Sequence, residues 1–194
     1  MPKKTSSLAL EQLRSPLGTP RSAPWRVELN EPAKSVMTDF TQRNMVTVDL
    51  GVPVDAALEV MRHAGVRAAF VIDAVQARVL GLVTAHDIMG EKPVRFLEAI
   101  GSTPTSGSRN DVKVGDVMER AEEWPVATMA QVEAATVGEI LEAVEQSGRT
   151  HVAVVESMPG REPTLRGVFS RSKLLRLTEH SRRAAAPLAG RAAG

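Results

Sequence analysis

Apolar residues recur at helical spacing in two places along the chain. Val54, Ala57, Leu58 and Met61 form one stripe, and Val137, Ile140, Leu141 and Val144 form another 83 positions later. A glycine suited to a helix stop follows each stripe, Gly65 or Gly148, and then a short apolar run ends at an acid, residues 68–73 or 151–156. Both runs read as buried strands. A second strand comes next in each half, 79–84 and 164–170, with Gly81 and Gly167 offset by 86 because the second hairpin loop is three residues longer. Loop insertions of that size cost little. Each half closes with a helix after Thr84 or Ser170, the second predicted over 171–179, and opens with a strand predicted at 45–48 or 126–132. The order per unit is strand, helix, strand, strand, helix.

A unit of roughly 60 residues encloses little core by itself. The pattern therefore predicts an α+β protein in which two repeats pack their small sheets together. Residues 1–34 carry five prolines and read as an irregular leader, with a short helix conceivable at 8–13 and Trp25 and Val27 as pins. The repeats are expected at 35–100 and 113–180. Between them Pro93 interrupts the first closing helix, 94–100 restarts it, and the Gly/Ser-rich stretch 101–112 reads as a linker. Residues 181–194 lack periodicity and are expected to be a disordered tail.

Charge is unevenly spread: +3 over 1–34, −6 over 35–172 and +4 over 173–194. An acidic body with basic ends does not resemble a duplex binder, whose positive charge must gather on a folded face. Four Phe and two Trp, with no Tyr, provide no stacking platform for single strands. Nucleic acid is thus an unlikely partner. The absence of Cys excludes disulfides and thiolate sites and points to a reducing cytoplasm. The apolar runs are too short to span a bilayer.

The four histidines, at 63, 86, 151 and 180, show no metal-ligand spacing, and no nucleophile motif or phosphate loop occurs. No metal site and no catalytic residue are expected. His151, opening a strand, reads as a partly buried core histidine.

The repeated motifs resemble a pair of CBS domains, the regulatory modules named after cystathionine β-synthase. In the first half these are Ser35-Val36-Met37-Thr38, Val46-Thr47-Val48, Gly65-Val66-Arg67, Val71-Ile72-Asp73 and Gly81-Leu82-Val83-Thr84-Ala85-His86-Asp87. In the second they are Val117-Met118, Gly148-Arg149-Thr150-His151, Val154-Val155-Glu156 and Gly167-Val168-Phe169-Ser170. The resemblance implies pseudo-two-fold packing of the halves, two clefts for adenosine-containing ligands (AMP, ADP, ATP or S-adenosylmethionine), a homodimer, and no required cofactor. It implies that Thr84 and Asp87 take phosphate and ribose, with His86 as a secondary contact. Backbone around Thr47 and Val48 and around Arg67, Ala68 and Ala69 would form the adenine pocket, and the Arg67 side chain could reach a phosphate or an acidic neighbour.

Residue chemistry leaves two readings of that motif open. A carboxylate can accept both ribose hydroxyls, and a hydroxyl beside free amides suits phosphate. Thr84 and Asp87 also form a capping box, which alone would explain them. In the second half Ser170 replaces Thr84 but Lys173 replaces Asp87, and an ammonium cannot accept ribose protons. Arg171 and Lys173 could instead turn toward phosphates, or Lys173 could be a solvated helix residue. Two functions follow: a non-catalytic sensor of an adenosyl ligand that signals to a separate, unidentified effector, or a ligand-free scaffold docked on an enzyme or transporter.

Overall fold

The computed structural model describes residues 26–102 and 108–185, without the side chains of 108 and 183–185. The helix considered at 8–13, Trp25, part of the linker and the last nine residues lie outside the described residues.

Two four-stranded sheets form. Strands β2 (Thr47–Asp49), β3 (Ala68–Asp73), β4 (Arg78–Thr84) and β5 (Glu119–Arg120) make one, in that order. Strands β1 (Thr38–Asp39), β8 (Thr164–Ser170), β7 (His151–Glu156) and β6 (Val126–Thr128) make the other. Helices α1 (Val54–His63), α2 (Ala85–Met89), α3 (Lys92–Ala99) and α4 (Val114–Val117) accompany the first sheet. Helices α5 (Met129–Ala134), α6 (Val137–Gln146) and α7 (Arg171–Ala185) accompany the second.

The repeat is visible down to the hydrogen-bond register. Ala68 pairs with Thr84 and Val71 with Gly81, after which the ladder slips past Leu80. His151 pairs with Ser170 and Val154 with Gly167, and the ladder slips past Arg166 at the equivalent position. One residue is bulged out in each hairpin.

Each sheet receives an edge strand from the other half. Strand β1 runs antiparallel to β8, and β5 runs antiparallel to β4. Two glycines admit these strands: a Cβ on Gly81 would lie 2.5 Å from the Glu119 carbonyl oxygen, and one on Gly167 2.6 Å from that of Thr38. The apolar residues beside the exchanged strands follow them. Val112, Val114 and Val117 join the core of the first unit, while Val27, Ala33, Val36 and Met37 join that of the second. The repeats are thus interlocked in space, although they are consecutive in sequence.

Strand alternation divides the buried residues between two faces. Ala69, Val71 and Val83 face the helices of the first unit, and Val152 and Val154 those of the second. The intervening Phe70, Leu82 and Ala153 are also buried but belong to neither helix-side core. Phe70 stacks edge-on with Phe40 at 5.2 Å and with Trp124 at 6.0 Å, so residues from both exchanged segments converge on β3.

Several local expectations change. The leader is irregular in backbone but not free: Val27 is buried, its N–H donates to the Leu177 carbonyl, and Ser181 donates to its carbonyl. Helix α7 continues to Ala185 with Ser181 buried, so 181–185 is helix rather than disordered tail. Within the expected linker, 108–111 forms a 3-10 turn, Val112 is buried, and Arg109 binds Asp55 at 2.8 Å and the Ile88 carbonyl at 2.6 Å. The strand expected over 126–132 ends at Thr128, which caps α5 reciprocally with Gln131. Pro93 stands at the start of α3, where its missing N–H costs nothing.

Candidate functional site

The motif Gly81–Asp87 crosses from the last residues of β4 into α2. Thr84 is extended and caps the helix: its hydroxyl accepts from the Asp87 N–H at 3.1 Å. Asp87 answers with Oδ2, which accepts from the Thr84 N–H at 2.9 Å and from the Thr84 hydroxyl at 2.6 Å. Oδ1 pairs with Lys92 Nζ at 2.7 Å, and Lys92 also donates to the Val117 carbonyl at 3.1 Å. Burial pushes the Asp87 carboxyl up, but the hydrogen bonds from Lys92 and Thr84 and the Lys92 charge prevail and hold it below the ordinary carboxylate range. The capping role is therefore present, and Lys92 is a partner that sequence spacing did not reveal.

Register brings the other expected residues of the first unit to the same end of the sheet. Ala68 lies beside Thr84, Ala69 beside Val83, and Thr47 beside Phe70 on the parallel strand β2. Val48 and Ala69 are buried and Thr47 and Ala68 half-buried. The Arg67 carbonyl accepts from the Ala85 N–H at 2.9 Å, while the Arg67 and His86 side chains are exposed.

His151 of the second unit lies within electrostatic reach of Asp87. Burial pushes its imidazole down, and the Asp87 carboxylate pushes it back up across the boundary between units. Thr150 Oγ1 lies 2.9 Å from His151 Nδ1. Arg149 Nη1 donates to Glu119 Oε1 at 2.9 Å, tying the turn before β7 to the strand exchanged into the first sheet. These residues were not among the expected contacts. The offset of 83 does pair Thr150 and His151 with Arg67 and Ala68, so the repeat held the signal.

The second half builds its counterpart differently. Ser170 precedes α7, but its hydroxyl sits 3.0 Å from that of Ser172, and Lys173 cannot complete a capping box. Lys173 is half-buried and donates to Thr38 Oγ1 at 3.3 Å; it is not a solvated surface lysine. Arg171 is exposed. The structure thus brings Thr84, Asp87, Ala68, Ala69, Thr47 and Val48 together, and it sets Lys173 against the other exchanged strand, while Ser170 pairs with His151 on β7. A shallow groove bounded by Leu50, Lys113, Met118 and Arg120 contains none of the expected residues.

Among the described residues no group of three or more His, Asp or Glu side chains could hold a metal, and no helix is long and apolar enough to cross a membrane.

Residues 33–93 match the family model of the CBS domain. The chain is similar in structure to an uncharacterized conserved protein from Pyrococcus horikoshii, at 25% identity and a TM-score of 0.52, covering 81% of this chain and 96% of that one. It is also similar to CBSX2 of Arabidopsis thaliana in complex with AMP, at 20% identity and a TM-score of 0.50, covering 75% and 94%. A third likeness is the CBS domain of the bacterial CNNM/CorC family Mg2+ transporter in complex with ATP, at 13% identity and a TM-score of 0.51, covering 77% and 88%. No curated protein matches the chain. With residues 33–93 matched by the family model and the second half repeating their register, bulge and exchanged edge strand, the chain has the fold of a tandem CBS-domain pair.

Proposed function

We propose that this protein is a non-catalytic regulatory module that binds an adenosine-containing ligand in the cleft at Asp87 and relays its occupancy to a separate partner. The observation that carries this reading is the Asp87 carboxylate, held at the end of β4 by Thr84 and paired on its other oxygen with Lys92. Lys92 is 48% exposed, so its ion pair is worth no more than about 1 kcal/mol. Ribose hydroxyls can replace it with charge-assisted hydrogen bonds at small cost, and the released ammonium then meets the ligand's phosphates. Backbone at Thr47, Val48, Ala68 and Ala69 would receive the adenine, with Arg67 and His86 at the rim. The AMP and ATP held by two proteins of this fold support the ligand class. S-adenosylmethionine fits the same ribose contact but has no phosphate for Lys92.

A ligand shifts a conformation only through unequal affinity for two states. The interlocked edge strands β1 and β5 supply a means, since displacing either one moves the two sheets relative to each other. A homodimer in the cytoplasm is the setting this reading assumes. The competing reading, a ligand-free docking scaffold, is favoured by the complete set of partners Asp87 already has.

Thermal denaturation with AMP, ADP, ATP, S-adenosylmethionine and adenosine separates the two. A ligand present at 100 times its dissociation constant stabilises by about 2.7 kcal/mol. Asp87→Asn keeps an oxygen for the cap and should abolish that shift while leaving the unliganded melting point nearly unchanged. If no ligand in the panel raises the melting point, the scaffold reading stands.

A further inference from the structure

Each half ties a helix to the segment it receives from the other half, and the two ties differ in kind. In the second half Lys173, on α7, donates directly to Thr38 Oγ1 of β1 at 3.3 Å. In the first half Lys92, at the start of α3, spans two acceptors: Asp87 Oδ1 at 2.7 Å and the Val117 carbonyl at 3.1 Å. Val117 is buried in the first core, and the chain then enters β5, where Glu119 pairs with Leu82 of β4 and, through its side chain, with Arg149 of the second unit. Of the two ties, that of the first half alone runs through a carboxylate. The other oxygen of Asp87 is committed to the Thr84 N–H and hydroxyl. Oδ1 is therefore the atom that Lys92 and an incoming hydroxyl would both claim.

We propose that Lys92 is an internal competitor for the ligand of the first cleft and a releasable latch on β5. While the cleft is empty it holds Asp87 and the segment leading into β5 together, and it lets that segment go when ribose hydroxyls take Oδ1. This rests on the adenosyl reading of the Asp87 cleft and adds its regulation. The Lys92 side chain is half exposed. A carboxylate and a carbonyl together hold such a flexible ammonium in one place, whereas a carbonyl alone does not offset the rotamer freedom lost. Displacing Lys92 from Asp87 therefore also frees the Val117 carbonyl. Strand β5, two residues long and at the edge of its sheet, is then left with fewer restraints. Strand β1 keeps its direct tie to Lys173 whether or not the first cleft is filled. The same competition lowers the apparent affinity for the ligand, by the fraction of time that Oδ1 is unclaimed.

Hydrogen–deuterium exchange of the full chain with and without adenosine, combined with calorimetric titration of adenosine, tests the latch. Lys92→Met keeps the apolar stem and removes the ammonium. Without adenosine it should speed amide exchange over residues 117–121 several-fold and leave 36–41 unchanged. It should also bind adenosine about two- to fivefold more tightly than the parent, in line with loss of a half-exposed ion pair. In the parent, saturating adenosine should speed exchange over 117–121; in Lys92→Met it should add nothing. Arg95→Gln removes an equal charge, paired with Glu91, from the same helix and should behave as the parent in both measurements. If adenosine binds neither the parent nor Lys92→Met, the adenosyl reading fails and the latch with it. The latch alone is overturned, and the adenosyl reading stands, if adenosine binds both equally, if it fails to speed exchange over 117–121 in the parent, if Lys92→Met protects those residues as the parent does, or if Arg95→Gln reproduces the effects of Lys92→Met.

Discussion

Gly81 and Glu119 approach so closely that a Cβ on the glycine would stand 2.5 Å from the glutamate's carbonyl oxygen and 2.8 Å from the sulfur of Met118. The glycine of the motif therefore serves the edge strand crossing over it. Gly167 does the same for Thr38 and Met37 in the other half. Both obstacles include backbone, which cannot rotate aside as a side chain can. Gly81→Ala and Gly167→Ala are each expected to cost about 1–3 kcal/mol through overpacking, read as a lower urea midpoint. Midpoints equal to that of the parent would contradict the close packing of β5 and β1.

Asp87 should contribute to acid sensitivity. Its carboxyl titrates below the ordinary range in the folded protein, so its stabilising effect is fully present above the unfolded value of about 3.9. That effect is lost as pH falls through the lower folded value. The stability difference between the parent and Asp87→Ala should be level near neutrality, of the order of the roughly 1 kcal/mol typical of a helix cap, and should shrink toward zero in strong acid. Urea unfolding at a series of pH values measures it. A difference that grew on acidification would reverse the assigned sign.

His151 offers a probe of the first cleft without a ligand. Burial lowers its pKa and the Asp87 charge opposes that lowering. Asp87→Asn removes the opposing charge, so the imidazole should titrate at still lower pH, as followed by the ring proton shifts in NMR. An unchanged titration would mean that the two residues do not share a field. Because the folded value lies below the unfolded one, this histidine also makes folding less favourable as pH drops below about 6.5.

The Arg149–Glu119 pair, which ties the turn before β7 to the strand exchanged into the first sheet, is expected to be worth more than an exposed surface pair. Glu119 is only 17% exposed, whereas Arg78 and Glu162, linked at 3.0 Å, are 59% and 80% exposed. A double-mutant cycle should give about 0.5–1 kcal/mol for the first pair and close to zero for the second. Equal coupling energies would remove the distinction.

Much of the fold was legible in the sequence because it rests on local periodicity and on one repetition. The stripes of α1 and α6 and the hairpins β3–β4 and β7–β8 follow from side-chain spacing, and an offset of 83 or 86 aligns them without any contact being known. Thr84 and Asp87 were legible for the same reason, since a capping box spans only three residues. Lys92 was not: its reach back to Asp87 depends on the turn between α2 and α3, which no periodicity describes.

The amino-acid order alone determined that there are two copies of one small unit, where their helices and hairpins lie, and that the copies differ at Asp87 and Lys173. Tertiary structure alone decided which copy each edge strand joins, that Phe40 and Trp124 both meet Phe70, and that Lys173 lies against Thr38. The physical reason is range. Helix stripes, caps and hairpin registers are set by neighbours a few residues apart, while strand exchange and cleft charge arise from groups many tens of residues apart that only the packed sheets bring within reach.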